Sequence, residues 1–258
     1  MQRLRRPFPS SKIKENTIDT NIRRDNSNIL IAITSCARDS NNGNNDAIRE
    51  TYVKILNEYG YHYKFFMANG NFPGEFNSTY MDQYRRHMVD RPNDDKHEEI
   101  DYSKLKGDEI ILNVDDSWAG MVFKIRESRR WAIENGYEFI FKIDCDTYLD
   151  VWRLNKSKFR NHDYWGEKSG DDHVYCGGWK GYMLSSKAYS LTIDCDIDNL
   201  CEDVWTSLIM EKNGINLSDW REEFSDGVTR VSPSLHGEFN LDFLYDFHQD
   251  CFRRSKYL

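Results

Sequence analysis

Three short apolar runs, each set between polar turns and helical patterns, limit what this chain can fold into more than any other feature. They are "NILIAIT" (28–34), "YHYKFFMA" (61–68) and "YEFIFKID" (137–144), with "DEIILNVD" (108–115) a fourth of the same kind. Continuous apolar runs of this length suit strands buried on both faces, as in a parallel sheet covered by helices. Between the first two lies "AIRETYVKILNEYG" (47–60), where Ile48, Tyr52, Ile55 and Leu56 fit a helix closed by Gly60, preceded by a polar loop "RDSNNGNND". The pattern predicts an α/β sheet with a ligand crevice at the carboxyl ends of its strands.

At one of those ends, in "EFIFKIDCDTYLD" (138–150), the strand closes on Asp144 and Asp146 with one residue between them. Residues two apart on a strand point the same way, so both carboxylates can reach one point, and that point suits a hard divalent cation. Asp at a strand exit also caps turns, and an Asp-x-Asp-x-Thr run after a strand resembles the haloacid-dehalogenase phosphatases, with Asp144 as nucleophile.

The remaining elements follow from the same patterning. "WAGMVFKIRESRRWAIENG" (118–136) predicts a helix carrying Met121, Ile125, Trp131 and Ile133 and stopped by Gly136. "HVYCGGWKGYMLSS" (173–186) reads as a glycine-interrupted strand segment. There Gly177, Gly178 and Gly181 serve either a tight turn or close approach to a ligand. "LCEDVWTSLIMEKNGI" (200–215) predicts a helix with Glu202 and Asp203 in its first turn and Val204, Leu208 and Ile209 facing inward. Residues 1–27 read as a flexible arm and 28–258 as one domain.

A net charge of −8 argues against a nucleic-acid partner. The six cysteines show no Cys-x-x-Cys pair or zinc spacing, so free thiols are expected. No apolar stretch reads as a signal peptide or membrane span, so the expectation is a cytoplasmic protein, or a Golgi-type lumenal one if an anchor has been removed. Sequons at Asn77, Asn155 and Asn216 matter only in the second case.

Taken in order, five stretches resemble the β-1,3-galactosyltransferase-like family, glycosyltransferase family 31. "NNDAIRETY" is similar to its "xAIRETW" segment and "DDSWAGMVFKI" to "DSYxNLTLKT". "FKIDCDTYLDVWRL" is similar to its "KxDDDxFVN" metal motif, "YCGGWKGYMLS" to "YxxGxGYVLS", and "CEDVWTSLIM" to "EDVxxG". The chain departs from the pattern at Cys145, which stands for the middle Asp, at Gly120 and Val122, and at Ser207. The resemblance implies a GT-A (Rossmann-like) single domain with a mixed central sheet flanked by helices. It implies an inverting transferase that uses a UDP-sugar (galactose, N-acetylglucosamine or xylose type) and an oligosaccharide or glycoprotein acceptor. Mn2+ or Mg2+ would sit on Asp144, Asp146 and His236, and Asp203 would be the general base with Glu202 as its alternate. Thr34, Ser35, Arg49, Asp116, Lys124, Asp144, Cys145, Gly178 and Trp179 would line the donor site; Arg49 and Lys124 could instead form internal ion pairs. The alternatives are the phosphatase and an inactive carbohydrate-binding module.

Overall fold

The computed structural model describes residues 25–71, 77–90, 98–170, 173–231 and 241–255. Strands β1 (Ile29–Thr34), β2 (His62–Ala68), β3 (Glu109–Leu112) and β4 (Phe139–Asp144) come from the four apolar runs. Between and after them lie helices α1 (Ala37–Asn41), α2 (Asn44–Glu50), α3 (Tyr52–Glu58), α4 (Ser78–Asp90) and α5 (Met121–Glu134). The second half adds β5 (Thr147–Leu149), α6 (Val151–Lys156), β6 (Tyr164–Gly166), β7 (Lys168–Ser169), β8 (Tyr175–Cys176), β9 (Tyr182–Ser185) and α7 (Ser186–Ser190). It closes with α8 (Glu202–Lys212), β10 (Leu217–Asp219), β11 (Thr229–Val231) and α9 (Leu241–Ser255).

Seven strands form one sheet in the order β10-β6-β9-β4-β1-β2-β3. All run parallel except β9, which is antiparallel to both β4 and β6 and makes the sheet mixed. The chain leaves β1 toward β2 and β3, then returns through α5 to β4 on the other side of β1. That reversal places a crevice at the carboxyl ends of β1 and β4, where Thr34 and Asp144 are register partners.

Alternation divides each central strand between two cores. Ile29, Ile31 and Ile33 join Phe141 and Ile143 against α2, α3, α6 and α9, while Leu30, Ala32 and Ile140 face α5, α7 and α8. Every residue of β1 is buried, as a strand covered on both faces requires. Trp165, Trp205 and Trp220 are fully buried, whereas Trp118 and Trp179 are 40% and 43% exposed.

Three local expectations are corrected. The polar loop after β1 is mostly helical, forming α1 and the first turn of α2. The single helix expected over 47–60 breaks at Thr51, whose hydroxyl donates back to Ala47 O at 2.8 Å and lies 3.3 Å from Ile48 O, a back-bond that bends helices. On α8 the inward face is Glu202, Trp205, Thr206, Ile209 and Met210, and Leu208 is exposed, because the helix turns its first-turn carboxylate into the protein. On α5, Ile133 is exposed, and Lys124, Ser128 and Arg129 take buried positions.

Most of the arm expected over 1–27 lies outside the described residues. Of its last three residues, Asn26 is buried and donates to Tyr59 O at 2.8 Å. All six cysteines are free thiols. Among the described residues no helix is long and apolar enough to cross a membrane.

Gly181 turns the chain into β9 at φ +78° and ψ 167°, a region open to glycine almost alone, and a Cβ there would stand 2.6 Å from Lys142 O. Gly181→Ala is therefore expected to lower unfolding free energy by more than about 2 kcal/mol, read by urea denaturation. A loss below about 0.5 kcal/mol would contradict this packing of β9 on β4.

Candidate active site

The strand ends gather two groups of carboxylates. Asp144 is the last residue of β4 and Asp146 follows in the turn to β5. Burial pushes the Asp144 carboxyl up to about 6; the Lys142 ammonium opposes the rise, while Asp146 and Glu202 add to it. Burial also raises Asp146, against the pull of the Thr147 hydroxyl, which donates to its Oδ1 at 3.1 Å. The Thr147 hydroxyl also lies 2.8 Å from Trp179 O, placing the glycine-rich turn beside the Asp144–Asp146 turn.

The second group sits at the start of α8. Asp203 Oδ2 accepts from Gly178 N at 2.9 Å and its Oδ1 from Val204 N at 2.8 Å. Burial raises its carboxyl, and the neighbouring Glu202 charge raises it further. Glu202 is buried, and its Oε2 accepts from the Tyr182 hydroxyl at 2.7 Å. Arg129, also buried, donates to Tyr182 and, at 2.8 Å, to Thr206, and lies 4.0 Å from Glu202 Oε2. Of the two acids, Glu202 is the enclosed one and Asp203 the more open.

Lys142, which sequence reasoning missed, lies between the groups. Its Nζ is 2.8 Å from Asp144 Oδ1 and 3.1 Å from Glu202 Oε1, ion pairs that fall outside hydrogen-bond geometry, and it donates to Gly178 O at 2.9 Å. Burial alone would lower its pKa; Asp144 and Glu202 outweigh that and raise it. Gly178 has no room for a side chain, since a Cβ would lie 2.5 Å from Glu202 Oε1.

Other expected donor residues are committed within the protein. Lys124 is buried, donating to Ser35 O at 2.8 Å and to Asp116 Oδ1 at 2.5 Å. Asp116 also accepts from Ala37 N and Ala68 N, tying the carboxyl ends of β1 and β2 to the loop after β3. Ser35 is buried and its hydroxyl donates to Asn45 Oδ1 at 2.8 Å. Thr34 is buried at the end of β1, where its carbonyl accepts from Cys145 N. Arg49 is not brought to the crevice: its guanidinium bonds Asp46, Asp108 and Glu109 at the β3 edge of the sheet and lies over the Phe65 ring. The Cys145 thiol donates to Asp39 Oδ2 at 3.2 Å, and burial raises it well above the usual thiol range. Trp179 presents its indole outward over Gly177.

His236 lies outside the described residues. Among those described, no three His, Cys, Asp or Glu side chains come together as a metal-binding group. Asp144 and Asp146 still fit a hard divalent cation: two partly buried carboxylates, both raised by desolvation, gain from a cation that restores their charge balance. Such ions often take one or two protein carboxylates and complete their shell with substrate phosphates.

No family model and no curated protein matches the chain. Among solved structures it is similar to a glycosyltransferase involved in the glycosylation of the major capsid of PBCV-1, at 10% identity and a TM-score of 0.42, over 86% of this chain and 98% of that one. A likeness that distant carries no argument about activity.

Asp116 and Lys124 form a buried ion pair. Asp116→Ala strands the ammonium and leaves two backbone N–H groups unpaired, so it is expected to cost about 3–5 kcal/mol of stability in urea denaturation. A cost under about 1 kcal/mol would show that the pair does not hold the strand ends together.

Proposed function

We propose that the chain is a glycosyltransferase: a metal-dependent, inverting enzyme that moves a sugar from a UDP-sugar to a hydroxyl of a glycan acceptor. The observation that carries the reading is that the Asp144–Asp146 turn, at the switch point of the sheet, and the Asp203 carboxylate are tied to one glycine turn, the first through Thr147 and Trp179 O, the second through Gly178 N. The first suits the diphosphate end of a nucleotide-sugar, and the second suits an acceptor hydroxyl.

The chemistry then follows from the residues. An acceptor hydroxyl is a poor nucleophile at neutral pH, and direct displacement needs a carboxylate placed to take its proton. Asp203 does this: its oxygens accept from Gly178 N and Val204 N, which fixes its orientation, while the adjacent Glu202 charge raises its basicity. The acceptor oxygen bonds the anomeric carbon from the face opposite the leaving group, the bond to the diphosphate breaks, and configuration inverts. Asp144 and Asp146 would hold a divalent cation that, when bound, neutralises charge on the departing UDP. Trp179, exposed beside these groups, offers a ring face for a sugar. The donor sugar and acceptor are of the classes implied by the sequence resemblance, and the compartment follows from where such acceptors occur.

The test is isothermal titration of UDP and a panel of UDP-sugars with and without Mn2+, on the wild-type protein and on Asp146→Ala. Mn-dependent UDP binding that the substitution abolishes is the expected result, and no UDP binding under any metal condition would refute the reading. Because the Asp144 carboxyl sits near 6, Mn-dependent binding is expected to weaken as pH falls through about 6 and the group protonates. Asp203→Asn is expected to lower kcat by about 10²–10⁴-fold with UDP affinity retained. A variant that keeps full turnover removes Asp203 from the base role.

A further inference from the structure

A single ammonium joins the two halves of this site. Lys142 is two residues before Asp144 on β4, so its side chain leaves the sheet on the face covered by α5, α7 and α8. There its Nζ meets Asp144 Oδ1 at 2.8 Å, Glu202 Oε1 at 3.1 Å and Gly178 O at 2.9 Å. The N–H of that same Gly178 donates to Asp203 Oδ2 at 2.9 Å. Gly178 is thus held at both its polar atoms, by Lys142 at the carbonyl and by Asp203 at the amide.

We propose that Lys142 is a positioning residue for transfer: it fixes the Gly178 peptide, and through it the Asp203 carboxylate, relative to Asp144, so that the donor end of the site and the base move as one rigid unit. The proposal rests on the transferase reading. A counterion would be satisfied by the two carboxylates alone, whereas the third contact, to Gly178 O, leads to the base. The fit is also tight, because a Cβ on Gly178 would stand 2.5 Å from Glu202 Oε1 and 3.3 Å from Lys142 Nζ. Any shift of the ammonium is passed to the peptide that holds Asp203.

Lys142 also sets the charge around the base. Asp203 is faced by Glu202 on its own helix, Cys201 just before it, Tyr175 and Cys176 of β8, and Lys142 of β4. In that set Lys142 supplies the positive charge, and it lowers the Asp203 carboxyl against the raising effect of Glu202. Removing it leaves Glu202 unopposed, so Asp203 holds its proton to higher pH. The acid limb of the kcat profile, which requires ionised Asp203, then moves upward.

The test compares wild type, Lys142→Met and the double variant Lys142→Met/Glu202→Gln, each confirmed folded by circular dichroism. Mn-dependent UDP binding, kcat, acceptor KM and the acid limb are read for each. In Lys142→Met, Mn-dependent UDP binding is expected to persist at a pH high enough to ionise Asp144, which also loses its ammonium, while kcat at that pH falls by about 100-fold, as a misplaced base implies, and the acid limb moves upward. The double variant removes the anion that Lys142 balances and carries the test if the single variant does not fold. Its acid limb is expected to return toward wild type while kcat stays low, because Gly178 O still lacks its donor. Wild-type kcat in the double variant would reduce Lys142 to a counterion and overturn the proposal, as would an unmoved kcat and acid limb in Lys142→Met. A wild-type protein that neither binds UDP nor turns over a UDP-sugar overturns the transferase reading, and the role of Lys142 with it.

Discussion

A lysine in the middle of a strand buried on both faces has to be neutralised where it stands, and much of this site follows from how that is done. Stranding a charge in such an interior is strongly destabilising, on the order of 3–5 kcal/mol when one partner of a buried pair is lost. Lys142 meets the requirement with Asp144 from its own strand, Glu202 from the first turn of α8 and the carbonyl of Gly178. Helix α8 must therefore enter with its acidic end inward, which turns Glu202 into the protein and leaves Asp203 more open. The glycine turn must approach closely enough that only a residue without a side chain fits.

A second buried pair does comparable work on the other side of the crevice. Lys124 and Asp116 tie together the exits of β1, β2 and β3, using Ser35 O, Ala37 N and Ala68 N as anchors. The resemblance pointed to these two residues as donor ligands. In the structure they pair with each other and with backbone groups, and Arg49 pairs with Asp108 and Glu109, the internal ion pairing that the sequence left open for Lys124 and Arg49.

The fold was largely legible because apolar runs bounded by polar turns leave a parallel α/β sheet few alternatives, and all four parallel runs became strands. Asp144, Asp146 and Asp203 could be singled out as site candidates for a related reason: they stand at the end of β4, in the turn after it and in the first turn of α8. What the sequence concealed was long-range pairing. Whether Lys124 or Arg49 faces a ligand or a carboxylate depends on which distant loop closes over it, and spacing along the chain carries no record of that. Lys142 was the exception that could have been found. A lysine between Phe141 and Ile143, in a run read as buried on both faces, must have anionic partners, and Asp144 two residues on was the nearest. The inward face of α8 was misread because its apolar positions were weighted over a glutamate.

The central claim is that the crevice between the Asp144–Asp146 turn and Asp203 is a nucleotide-sugar site. Diffraction from crystals grown with UDP and Mn2+, collected where manganese scatters anomalously, tests it most directly. The account predicts an anomalous peak within coordination distance of the Asp146 carboxylate, with the diphosphate of UDP against it and Asp203 across the opening. UDP bound elsewhere, or bound here with no metal on Asp146, would contradict it.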